Sequence, residues 1–157
     1  MHRLRLRSSR RCALTGLLLM TALPAAVAEP VPEPILPGAL EWASPPSIPG
    51  LASAWVIGSE GGAGTYVLRV RLARGARIPP HTHPDERYTV VLSGTLYVGF
   101  GAVFDPARLV AMPAGTVYVA PAAVPHYLWA RDGDVEYQEA GVGPTGTRWA
   151  GQPADTR

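Results

Sequence analysis

The stretch TYVLRVRL, Thr65–Leu72, alternates with a period of two: Tyr66, Leu68, Val70 and Leu72 fall on one face, Thr65, Arg69 and Arg71 on the other. Successive side chains of an extended chain point to opposite sides, so this is the pattern of a half-buried strand. Comparable signals recur at short intervals over Arg77–His83, Tyr88–Leu92, Thr95–Phe100, Leu109–Ala111, Thr116–Ala120, His126–Ala130 and Val135–Ala140. Ser93-Gly94 and Asp132-Gly133 are turn dipeptides between such runs. No segment carries a sustained helical period flanked by caps. Many short strands separated by Gly and Pro turns predict an all-β sandwich or barrel.

Upstream of the strands the chain changes character. Residues 1–11, MHRLRLRSSRR, hold five arginines and no acid; an apolar run from Cys12 to Leu23 follows, then Ala26-Val27-Ala28. A basic start, a short apolar core and a small-residue cleavage site predict a secretory signal peptide over residues 1–28. The apolar run is shorter than the roughly 20 residues that a membrane-spanning helix needs. SRRCALT, Ser9–Thr15, loosely resembles a twin-arginine export signal, although Ala13 stands where such signals carry a large apolar residue, so ordinary secretion stays open. The expected location is the periplasm or the exterior, with no membrane attachment after cleavage.

Removal of residues 1–28 alters the charge argument. Nine arginines remain against twelve acids, a formal charge of −3, so the whole-chain pI near 9.0 reflects the leader and does not point to nucleic acid. The only cysteine, Cys12, leaves with the leader, so any metal must be held by histidine and carboxylate. Seven prolines between Pro30 and Pro49 predict an extended arm or linker over residues 29–50. Residues 51–150 form the expected barrel domain, and 151–157 a C-terminal tail.

Three histidines remain after residue 28: His81, His83 and His126. Positions i and i+2 of a strand share a face, so His81 and His83 can present two imidazoles to one ion. If the strand that starts at His126 neighbours theirs, all three rings converge. Neutral imidazole suits Zn, Fe, Ni and Cu, and an added carboxylate extends the choice to Mn. With the histidines so used, no Ser/His/Asp or Cys/His nucleophile arrangement is left.

The spacing of these residues resembles the two motifs of the cupins. In the first, Gly75 stands five residues before His81-Thr82-His83, and Gly94 closes the segment; in the second, Gly115 is followed after five residues by Pro121-Ala122-Ala123 and then, two residues on, by His126. The resemblance spans roughly residues 64–143. It implies an antiparallel jelly-roll β-barrel, commonly a homodimer, with a metal inside held by two histidines and a glutamate of the first motif and the histidine of the second. Three positions depart from the pattern. Ala123 replaces a glycine, a harmless change if its φ stays negative. Ala130 replaces an asparagine. Arg87 occupies the glutamate position, with Glu86 one residue early.

A one-residue shift on a continuous strand sends a side chain to the opposite face. Strict register places Arg87 toward the site; a bulge at Pro84-Asp85 would re-aim Glu86 inward instead, in phase with Tyr88, Val90 and Leu92. The expected metal ligands are His81, His83, His126 and a displaced Glu86, with Arg87 and Tyr88 as substrate contacts. Tyr127 and Trp129, out of phase with His126, are expected on the opposite face, in a dimer contact. The functional expectation is an exported single-domain cupin that binds a divalent metal (Zn, Fe, Mn or Ni) and a small anionic or oxygen-rich molecule. Dioxygenase, lyase, isomerase and non-catalytic binder all remain open, because the fold hosts each. The alternative is a metal-free binding or sensing module in which Arg87 holds an anion. A third reading is a structural barrel that dimerises through its proline-rich arm.

Overall fold

The computed structural model describes residues 32–151. The leader expected over residues 1–28 and tail residues 152–157 lie outside the described residues. Among the described residues ten strands follow one another: β1 Leu51–Ile57, β2 Gly64–Leu72, β3 Arg77–Thr82, β4 Arg87–Ser93, β5 Thr95–Phe100, β6 Val110–Pro113, β7 Val117–Ala120, β8 His126–Trp129, β9 Val135–Gly143 and β10 Arg148–Trp149. They form two antiparallel five-stranded sheets, ordered β1-β2-β9-β4-β7 and β10-β3-β8-β5-β6. From β2 to β5 the chain crosses between the sheets at every turn, which is the jelly-roll arrangement that the cupin resemblance implies and one form of the sandwich or barrel expected from the strand pattern.

The core lies between the sheets. On β2 the inward positions are those the alternation predicts, with Tyr66, Val70 and Leu72 buried and Leu68 partly so. Val70 and Leu72, with Leu68 against them, join Val91 of β4, Leu96 and Val98 of β5, Leu128 of β8, and Val135 and Tyr137 of β9 in one cluster. Burying such a side chain contributes about 1.5–3 kcal/mol, so this non-local apolar face holds the sheets together.

Two strands carry no clear signal in the sequence. Strand β1, LASAWVI, is rich in small residues and lacks alternation; its pairing with β2, from Leu51↔Leu72 to Ile57↔Val67, makes it a strand. Strand β10 is two residues long and exists because Arg148 and Trp149 pair with Thr82 and His81. The proline-rich stretch lies against the barrel over its second half. Ala43 bridges to Ser53, Ile48 joins the buried core, and the Arg71 guanidinium stacks 3.9 Å over the Trp42 ring.

Ala123 corrects an expectation. Its φ is +59°, in the left-handed region that disfavours a side chain, and its N–H donates to the His83 carbonyl at 2.8 Å. The turn before β8 is therefore tied to the end of β3 through a strained alanine. Ala123→Gly is expected to raise stability by about 1 kcal/mol, the usual size of this strain. Chemical denaturation checks it through a higher midpoint at an unchanged slope.

The outward placing of Tyr127 is also corrected in part. It lies on the face opposite His126, but is fully buried: its ring packs 4.9 Å from Phe104 and its hydroxyl donates to the Asp105 carbonyl at 3.0 Å. The chain's own β5–β6 connection covers it. Gly99 leaves room for that ring, which a side chain there would strike.

Candidate metal centre

Strands β3 and β8 are hydrogen-bonded neighbours, and His81 pairs directly across from His126. His83 follows just beyond the end of β3, on the same side as His81. All three are buried, and one ring nitrogen from each lies within 4.8 Å of the others. The ring centroids are 4.8 Å apart for His81 and His83, 4.3 Å for His81 and His126, and 5.1 Å for His83 and His126.

The other nitrogen of each ring is spoken for. Nδ1 lies 2.7 Å from the Pro79 carbonyl in His81, 2.7 Å from the Gly146 carbonyl in His83, and 3.1 Å from the Val124 carbonyl in His126. A carbonyl can only accept, so Nδ1 carries the proton and Nε2 a free lone pair. Nε2 of His83 and of His126 are buried without a protein partner. Such an orphan costs about 1–3 kcal/mol, and two on converging rings are what a metal ligand set looks like without its ion. Burial pushes the His81 imidazolium down to about 4, helped by the nearby His126, and the His83 imidazolium to about 2, helped by the Arg87 charge; His126 is lowered by burial. At neutral pH the rings are uncharged, so a cation meets three lone pairs with no proton to displace.

The fourth expected ligand is not there. Glu86 is exposed and accepts a 2.6 Å hydrogen bond from the Tyr88 hydroxyl, itself on a 55% exposed side chain outside the barrel. The expectations of Glu86 as ligand and Tyr88 as substrate contact are both corrected. The inner face of β4 is Arg87, Thr89 and Val91, so strict register holds and no bulge rotates Glu86 inward.

Arg87 is 5% exposed and points to the interior. One Nη donates to Glu139 at 2.7 Å; the other donates to Thr145 Oγ1 at 2.9 Å and to the Gly146 carbonyl at 3.3 Å. Asp85 lies 3.9 Å from Nε, and its two oxygens accept from Thr145 Oγ1 and the Tyr66 hydroxyl at 2.5 Å each. The Tyr66 phenol is pushed well up, first by burial and then by that bond to Asp85. Arg87 and the His83 ring thus share the Gly146 carbonyl, and one network joins β2, β4, β9 and the β9–β10 loop to the His83 imidazole.

Glu139, 3% exposed, was missed from sequence. It stands in phase with Val135 and Tyr137 on β9, so period two alone puts an acid in an otherwise apolar inward series. Beside the histidines opens a cavity of about 170 Å³, whose polar lining includes His81, His83, Arg87 and Glu139 and whose walls are mostly aliphatic, with Trp149 at one side. The Trp149 ring stands 5.5 Å from that of His81.

The cupin domain family matches residues 68–137, a span that contains both β3–β4 and the His126 segment. Germin-like proteins 5-1 and 3-1 of Oryza sativa subsp. japonica are 38% and 36% identical over 68 and 70 residues, covering 41% and 44% of this chain. The matched part spans only 30% and 31% of those relatives' own length. Among solved structures, the polyketide cyclase RemF from Streptomyces resistomycificus is similar over 80% of this chain and 89% of its own, with a TM-score of 0.65 at 15% identity. Salicylate 1,2-dioxygenase from Pseudoaminobacter salicylatoxidans, in complex with gentisate, is similar over 66% of this chain and 30% of its own, at 0.55 and 17%. Both likenesses speak to the fold. With both motifs inside the matched span, a jelly-roll barrel around them and three histidines converging in its interior, residues 68–137 of this chain belong to a cupin domain.

Proposed function

We propose that this chain is an exported, single-domain cupin that holds one divalent metal ion on His81, His83 and His126 and binds a small molecule in the adjoining cavity. The observation that carries the reading is the set of three Nδ1–carbonyl hydrogen bonds, which leaves three lone-pair-bearing Nε2 atoms facing one another. Three histidines with open positions suit Zn, Fe or Ni; without a protein carboxylate, the case for Mn weakens. A bound ion would supply Lewis acidity toward an oxygen of the bound molecule. The protein's own contribution is a rigid seat for the ligands, mostly apolar walls, and Glu139 within the cavity. The similar dioxygenase structure holds gentisate, which supports a small-molecule role without choosing a reaction.

The metal-free alternative, in which Arg87 clamps an anion, is less well supported, because its guanidinium is committed to Glu139, Thr145 and Gly146. The test is elemental analysis of protein purified without added metal, followed by titration of the stripped protein with Zn or Co. The expected result is about one ion per chain. Less than a tenth of an equivalent, with no uptake on titration, refutes the metal centre.

A further inference from the structure

The most unusual feature of the site is that a cation, Arg87, stands where the family pattern has a carboxylate ligand, and that this cation absorbs the nearby carboxylates. Glu139 bonds Arg87 directly, and Asp85 sits 3.9 Å from it while accepting from Tyr66 and Thr145. Among the described residues, no carboxylate oxygen joins the three ring nitrogens in their cluster. A divalent ion on three neutral imidazoles would therefore keep a net positive charge, even after the single negative charge left over where Arg87 meets two acids, inside a mostly apolar-walled cavity where uncompensated charge is costly.

We infer, resting on the metal reading above, that the Arg87–Glu139–Asp85 cluster makes the centre dependent on an anion from outside, and that its occupant is an apolar-bodied monoanion of single-ring size. Charge sets the head group. The ion attracts one carboxylate-like group; without the ion, Arg87 faces two acids, and the cavity carries no net positive charge to hold an anion. Volume sets the body. About 170 Å³ is far below the roughly 300–1,000 Å³ of drug-sized pockets, and an apolar cavity of about 150 Å³ takes up benzene. The walls set its polarity. Aliphatic and aromatic surface such as that of Leu68, Ile78 and Trp149 makes up most of the wall, and apart from the histidines, Arg87 and Glu139 it is only Ser53, Tyr137 and Thr147 that bring polar side chains to it, too few to pair with a row of hydroxyls. A polyhydroxylated acid would strand its hydroxyl groups there.

Calorimetric titration of zinc-loaded and stripped protein with benzoate, benzamide and gluconate tests this, with metal content measured in each sample. Benzoate is expected to bind the loaded protein at least tenfold more tightly than benzamide, its uncharged counterpart, or gluconate, its hydroxylated one. Binding of benzoate to stripped protein should fall at least tenfold. Leu68→Phe, which narrows the cavity from β2, in the sheet that does not carry the histidines, is expected to weaken benzoate at least tenfold while leaving the metal content unchanged. Equal or tighter binding of benzamide or gluconate to loaded protein overturns the inference and leaves the metal centre standing. Failure to take up metal removes both, and the metal measurement tells the two apart.

Discussion

Arg87→Met is expected to destabilise the protein by about 3–5 kcal/mol, the usual consequence of stripping one partner from a buried ion pair. The loss comes mainly from Glu139, which is 3% exposed and would keep a charge with no cation to meet it. The methionine fills much of the arginine's volume, so a cavity contributes little. The companion variant separates pairing from packing: Arg87→Met/Glu139→Leu removes both charges and should recover most of the stability, because replacing a whole buried pair by apolar residues is often neutral. Urea denaturation of both variants measures this. If the single variant loses less than about 1 kcal/mol, or the double variant is no better than the single, the pair does not hold the barrel interior as described. Metal binding supplies a second readout. Arg87 helps to anchor the Gly146 carbonyl that is the outer partner of His83; losing such a partner outright typically weakens metal affinity by about 10–100-fold, and losing its anchor is expected to cost about the lower end of that range. Arg87→Lys keeps the charge but not the fork that reaches Thr145 and Gly146 together, so its metal affinity should fall while its stability is largely kept.

The second large effect is a loss of metal binding without a loss of fold. His126→Leu is expected to abolish uptake of zinc at micromolar protein, while the stripped variant stays within about 1 kcal/mol of the stripped wild type. The wild-type ring holds a buried Nε2 without a partner, and leucine relieves that cost while filling similar space. Glu86→Ala, by contrast, should change metal affinity by less than about twofold, as a substitution outside the site does. Competition against a chromophoric chelator measures both. Full zinc affinity in His126→Leu, or a marked loss in Glu86→Ala, would contradict the ligand set.

The legible and illegible parts of this site divide at particular residues. His81 and His83 share a face by strand parity, and their spacing to Gly75 and Gly94, with that of His126 to Gly115, is enough to group all three. The β3–β8 pairing places His81 opposite His126 and completes the triad. The choice between Glu86 and Arg87 is not available from the same parity rule, because the rule says that the two face opposite ways without saying which way is in. On β4 both faces carry apolar residues: Tyr88, Val90 and Leu92 on one, Val91 with Thr89 on the other. The apparent amphipathicity favours the face that is in fact outside.

What tips β4 is a partner about fifty residues away. Arg87 can be buried because Glu139 of β9, Thr145 and the Gly146 carbonyl satisfy it, and the β4–β9 register brings these within reach. Local periodicity suffices for the all-β class, most of the strand succession and the shared face of His81 and His83, since each is written within a few residues of chain, whereas His126 joins them through the cupin resemblance and the β3–β8 pairing. It does not suffice for an arginine entering the site in place of a glutamate, for β1 and β10 being strands, or for Tyr127 being covered from within. Those outcomes rest on pairings between distant segments, where burial and charge compensation outweigh any local preference.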